Sequence, residues 1–335
     1  MRAWIVDEPG PIDTAPLRRV ERALPQPGPR EVRVRVLTSG VCRTDLHLAV
    51  GDLAPKHRHI TPGHEIVGVV DEQGAGAGRF RLGDRVGIAW LAQTCGECTY
   101  CHRGDENLCL TPRFTGWDLN GGYAEYATAH EDFAYLLPDG YDDAHAAPLL
   151  CSGIIGYRAL RRSRLPAAGR LGIYGFGASA HLTAQIARAE GARVHVMTRS
   201  ESARALALEL GCDSAGDAFD APPEALDSAI VFAPVGTLVP VALAALDRGG
   251  TLAIAGIHMS DIPTLNYEQH LFQERTVTST TANTRRDGEE LLAVAARLSL
   301  HVEVTEYSFD AAADALRDLA ADRVRGAAVL RIAES

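Results

Sequence analysis

The fold of this 335-residue chain can be predicted from the stretch LGIYGFGASA at residues 171–180. Four residues of a short apolar strand are followed by GFGASA, which has the spacing G-x-G-x-x-A. Gly175 permits a tight turn, Gly177 lets a pyrophosphate approach the backbone, and the small Ala180 lets a helix pack on the strand. Between a strand and a helix, the motif predicts a dinucleotide-binding turn, with the phosphates at the helix N-terminus. The candidate cofactor contacts are Gly175, Gly177, Ala178 and Ser179.

Strands and helices alternate after this motif. Helices are predicted at residues 180–190 and 201–210, with strands at 194–197, 229–232, 252–255 and 276–279. Such alternation is typical of a doubly wound parallel sheet. The second half of the chain is therefore predicted to be an α/β domain.

The end of the second strand of this domain selects the cofactor. An acid about 20 residues beyond the motif would bind the ribose 2′-hydroxyl. Here the chain has Thr198, Arg199 and Ser200, with an arginine to bind a 2′-phosphate and no acid to repel it. The sequence therefore favours NADP(H). The alternative is that Arg199 is a solvated surface residue and that Glu201 binds the ribose, so NAD(H) stays possible.

The first half of the chain has a different periodicity. Strands are predicted at residues 31–36, 65–70, 84–88 and 122–126, and Gly and Pro clusters separate them. This pattern is typical of an antiparallel, barrel-like domain. We expect a β-rich domain at residues 1–152 with a cysteine lobe at about 93–112, a cofactor domain at 153–287, and a C-terminal return at 288–335.

Charge and composition exclude several kinds of partner. The net charge is −10, whereas nucleic acids and anionic membranes favour basic surfaces. The most apolar stretch, at about residues 146–156, is shorter than the roughly 20 residues that cross a bilayer. The N-terminus has no secretory pattern, so we expect a cytoplasmic protein.

The cysteines indicate metal binding. Cys95, Cys98, Cys101 and Cys109 lie close enough in sequence for four thiolates to complete a tetrahedral zinc site. Such a closed site would be structural. The alternative is an iron–sulfur cluster, but the last gap is longer than in bacterial cluster motifs and no proline follows Cys109. Cys212 has no assigned role.

Four further motifs accompany these cysteines: CRTDLH at residues 42–47, GHE at 63–65, GGYAEY at 121–126 and CSG at 151–153. In this combination the chain resembles the zinc-dependent medium-chain dehydrogenase/reductase family, alcohol dehydrogenase type, over nearly its whole length. The resemblance implies a GroES-like catalytic domain, a Rossmann cofactor domain and two zinc ions per subunit. It also implies a homo-oligomer, either dimer or tetramer, and a catalytic zinc held by Cys42, His64 and Cys151.

The implied ligand set leaves one zinc position open, where the metal would act as a Lewis acid towards an alcohol. By resemblance, a proton relay runs from Thr44 through the nicotinamide ribose to His47, which would release the proton to water. Asp45 is a candidate hydrogen-bond acceptor for a ligand histidine. Glu65 would assist ligand exchange at the metal; a purely structural carboxylate is the alternative.

Two arginines and two tryptophans complete the candidate site. Arg43 matches the pyrophosphate-binding position of the family, and Arg285 is a second candidate, with Arg286 as its alternative. Trp90 and Trp117 would narrow the pocket and exclude large or branched alcohols, unless they are packing residues. We therefore expect a small, primary alcohol or aldehyde as substrate.

Three other functions remain open at this point. One is a polyol or formaldehyde dehydrogenase of the same family. Another is a non-catalytic nucleotide-binding protein on this fold, which is expected when catalytic ligands are lost. The third is an iron–sulfur electron carrier that uses the four-cysteine lobe.

Overall fold

The computed structural model describes residues 1–333; Glu334 and Ser335, at the end of the predicted C-terminal return, lie outside the described range. The described chain forms two compact units. The first contains Met1–Cys151, Ala282–Ala296 and the described residues from Val302 onward, and the second contains Ser152–Thr281 and Arg297–His301. Within residues 1–333, no helix is both long and apolar enough to cross a bilayer.

The N-terminal part of the first unit is rich in strands. Its strands are β1 (Arg2–Val6), β2 (Leu17–Glu21), β3 (Glu31–Val41), β4 (Ile66–Gln73), β5 (Arg85–Ile88), β6 (Leu91–Gln93), β7 (Arg113–Phe114), β8 (Tyr126–His130) and β9 (Ala134–Leu136). Its helices are α1 (Arg43–Val50), α2 (Thr99–His102) and α3 (Asp143–Ala146). Short 3-10 turns lie at Ile12–Thr14, Glu106–Leu108, Glu131–Phe133 and Ala147–Leu150.

The second unit alternates helices and strands, and the chain then returns to the first. In order these are α4 (Ser152–Arg162), β10 (Arg170–Tyr174), α5 (Ala178–Ala189), β11 (Arg193–Met197), α6 (Glu201–Glu209), β12 (Ser214–Gly216), β13 (Leu226–Val231), α7 (Leu238–Ala245), β14 (Leu246–Ile254), α8 (Tyr267–His270) and β15 (Thr276–Ser279). They are followed by α9 (Arg285–Leu298), β16 (Val304–Ser308), α10 (Ala312–Ala320) and β17 (Ala327–Arg331).

The main sheet of the first unit has the order β16-β17-β3-β4-β5-β9, and β8 also pairs with β3. Its pairs are antiparallel, as the sequence predicted, except that β16 runs parallel to β17. Val32, Val34 and Val36 are buried on β3, and the arginines between them are more exposed, because successive side chains of a strand point to opposite faces.

The strand predicted at residues 122–126 is wrong for most of its length. Strand β8 begins only at Tyr126. The backbone N–H groups of Gly121, Gly122 and Tyr123 donate instead to carbonyl oxygens of residues 61–63, at 2.7–2.9 Å. These residues therefore support the loop that carries His64, which alternation of side chains along the sequence cannot reveal.

The parallel sheet of the second unit has the order β12-β11-β10-β13-β14-β15. Numbered within the unit this is 3-2-1-4-5-6, the order of dinucleotide-binding Rossmann domains. The predicted α/β fold class is therefore confirmed. Gly175 follows β10 with φ +86°, and a Cβ there would lie 2.9 Å from the backbone nitrogen of Ala233, so the turn requires glycine.

Candidate active site and metal centres

The topology of the first unit brings Cys42, His64 and Cys151 together. Cys42 directly follows β3, and His64 stands just before β4. Because β3 and β4 are antiparallel neighbours, with Ser39 opposite Ile66, the end of one strand lies beside the start of the other. Cys151 follows the turn Ala147–Leu150, which packs against β3, β4 and β5.

Four possible ligand atoms converge at this point. The sulfurs of Cys42 and Cys151, a ring nitrogen of His64 and a carboxylate oxygen of Glu65 all lie within 4.8 Å of one another. The two sulfurs are 3.9 Å apart. In a tetrahedral site with zinc–sulfur bonds of 2.3 Å, two sulfurs would be separated by about 3.8 Å. The donor set and its spacing therefore fit a zinc ion.

Asp45 organises this cluster from one buried carboxylate. It accepts hydrogen bonds from the backbone N–H of Cys42 at 2.8 Å and of Gly63 at 2.9 Å. Its Oδ1 lies 3.3 Å from Nδ1 of His64. Burial by itself would lower the pKa of His64, but the Asp45 carboxylate and the Cys42 sulfur together raise it well above the ordinary histidine value. Asp45 thus ties both ligand-bearing segments together.

The other groups of the cluster influence one another. Contact with Cys151, followed by His64, holds the pKa of the Cys42 thiol well below its ordinary value. The same sulfur–sulfur contact, together with burial, raises the pKa of Cys151. Burial raises the pKa of Glu65. The Glu65 carboxylate fits only because residue 40 is glycine, since a Cβ there would lie 1.9 Å from its Oε2.

The four-cysteine lobe forms a second cluster, with its sulfurs within 4.8 Å of one another. Cys109 is 3.5 Å from Cys95, and Cys98 is 3.6 Å from Cys101. These separations fit one tetrahedral ion, whereas a cluster of several irons holds its thiolates further apart. Backbone N–H groups near the sulfurs lower the pKa of Cys98 to about 6, which favours the thiolate that binds metal.

An ion pair between the buried Glu106 and the partly exposed Arg285 connects this lobe to α9. Glu106 accepts from the Arg285 backbone N–H at 2.6 Å and from its Nη2 at 2.7 Å. The Arg285 guanidinium also lies 4.7 Å above the ring of Phe133. Glu106 thereby satisfies a backbone donor at the first residue of α9 and anchors the lobe to that helix.

Aromatic rings line one side of the His64 cluster. Trp90 meets His64 edge-on, with ring centroids 5.0 Å apart. Trp90 stacks on Phe114 at 4.8 Å, and Trp117 lies 6.1 Å from Trp90 with only 10° between the ring planes. We call Trp90, Phe114 and Trp117 the aromatic wall.

Comparisons with known proteins agree with this geometry. Residues 28–139 match the alcohol dehydrogenase GroES-like domain family, and residues 180–297 match the zinc-binding dehydrogenase family. The chain is 58% identical to the probable alcohol dehydrogenase AdhA of Mycobacterium tuberculosis, over 99% of this chain and 97% of that protein. This chain belongs to the zinc-dependent medium-chain alcohol dehydrogenase family. It is accordingly a zinc-type alcohol dehydrogenase, an oxidoreductase that acts on alcohols.

Solved structures extend the comparison. The chain is similar to a cinnamyl alcohol dehydrogenase of Sorghum bicolor, with a TM-score of 0.89, 26% identity, and coverage of 100% of this chain and 98% of that one. It is also similar to a zinc-binding dehydrogenase of Sinorhizobium meliloti bound to NADP, with a TM-score of 0.85, 26% identity and 99% coverage of both chains. The family assignment makes the sequence alternative of an iron–sulfur carrier wrong.

In this alcohol dehydrogenase, the candidate relay residues lie on α1. The Thr44 hydroxyl is 3.8 Å from the sulfur of Cys42. Nδ1 of His47, near the end of the helix, lies 2.9 Å from Oδ2 of Asp52. Gly51 ends the helix with φ +94°, and the chain then turns so that Asp52 faces back towards His47.

The candidate cofactor residues of the dehydrogenase lie in two places. Gly177 is the N-cap of α5, and Ala178 and Ser179 form its first turn. Thr198 is buried, and Arg199 is exposed. The Arg204 side chain fixes this turn by donating to the carbonyl oxygens of residues 198 and 199. The hydroxyl of Ser200 caps α6 by accepting from the Ala203 backbone N–H at 3.3 Å.

Both candidate phosphate-binding arginines of the first unit have carboxylate partners within that unit. Arg43 forms an ion pair with Asp322, and Arg285 forms the ion pair with Glu106. Arg286, the alternative to Arg285, pairs with Glu290 one helical turn away. The structure thus gives each of these side chains a local partner.

Sequence analysis missed four residues of these sites: Asp52, Glu106, Phe114 and Arg204. The glycine before Asp52 was a possible signal, because a helix-ending glycine reverses the chain. Phe114 lies outside the motifs, 24 residues from its stacking partner Trp90. Glu106 lies 179 residues from its ion-pair partner Arg285. Only the tertiary fold could reveal their partners.

Proposed function

We propose that this alcohol dehydrogenase oxidises small primary alcohols and reduces the corresponding aldehydes, with NADP(H) as the preferred cofactor. The observation that carries the proposal is the convergence of Cys42, His64 and Cys151 beside the aromatic wall. We assign catalysis to the first unit and dinucleotide binding to the second. The boundaries expected at residues 152/153 and 287/288 stay a prediction.

The three residues Cys42, His64 and Cys151 would hold the catalytic zinc, and the lobe cysteines a structural one. When bound, the catalytic zinc supplies Lewis acidity towards the alcohol oxygen, and the nicotinamide accepts or returns the hydride. Glu65 lies in the same cluster and is assigned to ligand exchange. The space left by Gly40 supports this role, since it lets the carboxylate reach the ligand atoms without a clash.

The proton of the alcohol is assigned to Thr44 and His47. Thr44 stands beside the cluster, since its hydroxyl is 3.8 Å from Cys42. His47 lies one helical turn further on, and only 18% of its side chain is exposed. The Asp52 carboxylate, which can only accept, receives the Nδ1–H of a neutral His47 and so orients the ring that is assigned to take up the proton.

The preference for NADP(H) is supported by the turn after β11. Arg199 is exposed, and Ser200 stands next to it at the start of α6. A guanidinium and a hydroxyl suit a 2′-phosphate, whereas a carboxylate would repel it. Arg43 is proposed as a pyrophosphate contact that exchanges Asp322 for phosphate. Arg285 is the weaker candidate, because Glu106 occupies its Nε and Nη2.

The proposed substrate size depends on Trp90 and Trp117. Trp90 contacts the ring of His64, so its bulk lies next to the metal ligands. A flat aromatic surface at that position leaves room for an unbranched chain and resists branches near the reacting carbon.

The proposal includes a cytoplasmic homo-oligomer, either dimer or tetramer. None of the seven cysteines, all of which lie in the described part of the chain, forms a disulfide, and cysteines that hold metal instead suit a reducing compartment. In the second unit, the exposed rings of Tyr267 and Phe272 contact each other with centroids 5.7 Å apart, and an exposed aromatic pair supports self-association. Light scattering of the purified protein measures the subunit number.

The decisive experiment combines metal analysis with turnover. We expect two zinc ions per chain, and reduction of NADP by ethanol, propanol and butanol at a higher kcat/KM than with NAD. Cys151→Ser should lower the zinc content to one ion and abolish turnover. A zinc-loaded wild-type protein that oxidises none of these alcohols with either cofactor would refute the proposed function.

A further inference from the structure

Lys56 occupies an unusual place in the composition of this chain. Of the 33 lysine and arginine residues, it is the only lysine. It lies in the loop between α1 and His64, so the one side-chain amine of the protein stands on the segment that leads to the proposed zinc ligands. A reagent that acylates amines can therefore react with the side chain of Lys56 and, besides it, with the N-terminal amine.

The ammonium group of Lys56 has an aromatic partner. Its Nζ lies 4.5 Å from the ring centroid of Trp117. Among the residues that the structure describes, no carboxylate lies within ion-pair distance of it. Two residues earlier, the carbonyl oxygen of Ala54 accepts a hydrogen bond from the Trp117 indole at 2.8 Å. The same short loop thus contacts Trp117 twice: the Ala54 carbonyl at the indole edge and the Lys56 ammonium over the ring face.

The hold on Trp117 extends to the metal ligands through stacked rings. Trp117 is nearly parallel to Trp90, and Phe114 stacks on both of them. Trp90 in turn contacts His64. Because the three rings are stacked on one another, a rotation of the Trp117 side chain would change the shape of the aromatic wall. The change would occur at the end of the wall that lies away from His64.

We propose that Lys56 is a specificity-determining, positioning residue of this dehydrogenase, whose ammonium holds Trp117 against Trp90 and Phe114 and so restricts the enzyme to unbranched primary alcohols. The inference rests on the proposed function, because it takes the wall to be a boundary of the substrate pocket. Tryptophan gives the strongest attraction of this kind, and the cation over its face can be that of a lysine or of an arginine.

The test compares Lys56→Gln and Lys56→Arg with Arg58→Gln, which removes a charge from the same loop without touching Trp117. The first readout is acrylamide quenching of tryptophan fluorescence, with Trp117→Phe as reference to isolate this indole. The second is the ratio of kcat/KM for 2-methylpropan-1-ol to that for butan-1-ol. We expect Lys56→Gln to raise quenching and to raise the ratio about three- to tenfold. Lys56→Arg and Arg58→Gln should resemble the wild type in both readouts.

Two results would overturn the inference: Lys56→Gln leaves both readouts unchanged, or Arg58→Gln changes them as much. Trp90→Ala separates this failure from failure of the proposed pocket. If Trp90→Ala alters the ratio and Lys56→Gln does not, the wall bounds the pocket but Lys56 does not position it. If neither alters it, the pocket assignment itself is wrong. Slower acetylation of Lys56 in the wild type than in Trp117→Phe would independently support the contact.

Discussion

The Oδ1 atom of Asp45 lies 3.3 Å from Nδ1 of His64, and both side chains are almost completely buried. The same carboxylate accepts from the backbone of Cys42, so one residue on α1 positions two of the three proposed ligands. A carboxylate behind a ligand histidine fixes the orientation of the ring and increases its basicity.

The main effect of replacing Asp45 should therefore be weaker zinc binding by the cluster of Cys42, His64 and Cys151. We expect Asp45→Asn to lower the zinc affinity of the catalytic site by roughly 10–100-fold. Competition with a chromophoric chelator measures this affinity. Asp84→Asn is the control, since the Asp84 carboxylate accepts only from the exposed Arg81 backbone. Unchanged zinc affinity in Asp45→Asn would show that the contact with His64 has no role in binding.

Asp52 should matter for proton transfer. Its hydrogen bond to His47 orients the imidazole that takes up the proton, so Asp52→Asn should lower kcat several-fold. A positioned acid or base typically accelerates a reaction by roughly 100-fold or more. We expect His47→Gln to lose this acceleration, so its decrease in kcat should exceed that of Asp52→Asn. Added imidazole buffer should restore part of the rate in both variants. The control is Asp7→Asn, which weakens surface pairs with Arg18 and His59, away from the relay. If His47→Gln has wild-type turnover at all pH values, the relay itself is refuted.

The turn after β11 should control cofactor preference. We expect Thr198→Asp with Arg199→Ala to shift the ratio of kcat/KM for NADP to that for NAD by roughly 10–100-fold towards NAD. The reason is that charge-assisted hydrogen bonds to the 2′-phosphate are lost and an acid is introduced. Arg248→Ala, which removes another exposed arginine of the same unit, serves as control. A ratio that stays the same in the double variant would contradict the NADP(H) assignment.

Glu106 should stabilise the packing of the four-cysteine lobe against α9. Its buried carboxylate accepts charged hydrogen bonds from the backbone and the partly exposed guanidinium of Arg285, so Glu106→Ala should lower the free energy of unfolding by about 1.5–3 kcal/mol. The matched control is Glu290→Ala, which breaks an exposed pair on the same helix and should cost about 0.5 kcal/mol or less. Urea denaturation of the zinc-loaded protein measures both, and equal effects would contradict the prediction.

Asp227 gives the second unit a defined pH dependence. Hydrogen bonds from Arg170 lower the pKa of Asp227, so its contribution to stability is complete above the unfolded value of about 4. It is then lost as the pH falls through the lower pKa of the folded state. We expect Asp227→Asn to destabilise the unit by about 1–2 kcal/mol at pH 7. The difference from the wild type should shrink below pH 4 in urea denaturation. Asp314→Asn, at an exposed pair with Arg317, controls for general charge effects; a difference independent of pH would contradict the assignment.

The ligands of the lobe could be predicted from the sequence because they occur in one short motif, whereas the set Cys42, His64 and Cys151 followed only from the family resemblance. The spacing of Cys95, Cys98, Cys101 and Cys109 indicated the lobe. The strand predicted at residues 122–126 failed, because backbone bonds to residues 61–63 replace a ladder there, and such long-range pairing leaves no trace in side-chain alternation.

The sequence by itself determined the Rossmann sheet, the lobe and the types of ligand, because each depends on neighbours along the chain: a glycine turn, a cysteine spacing, alternation of strand and helix. Only the tertiary structure decided which distant side chains share one space. It placed Glu65 beside Cys42, His64 and Cys151, Glu106 on Arg285, and Lys56 on Trp117. Those pairs depend on strand register and loop packing, which bring together residues that no local pattern connects.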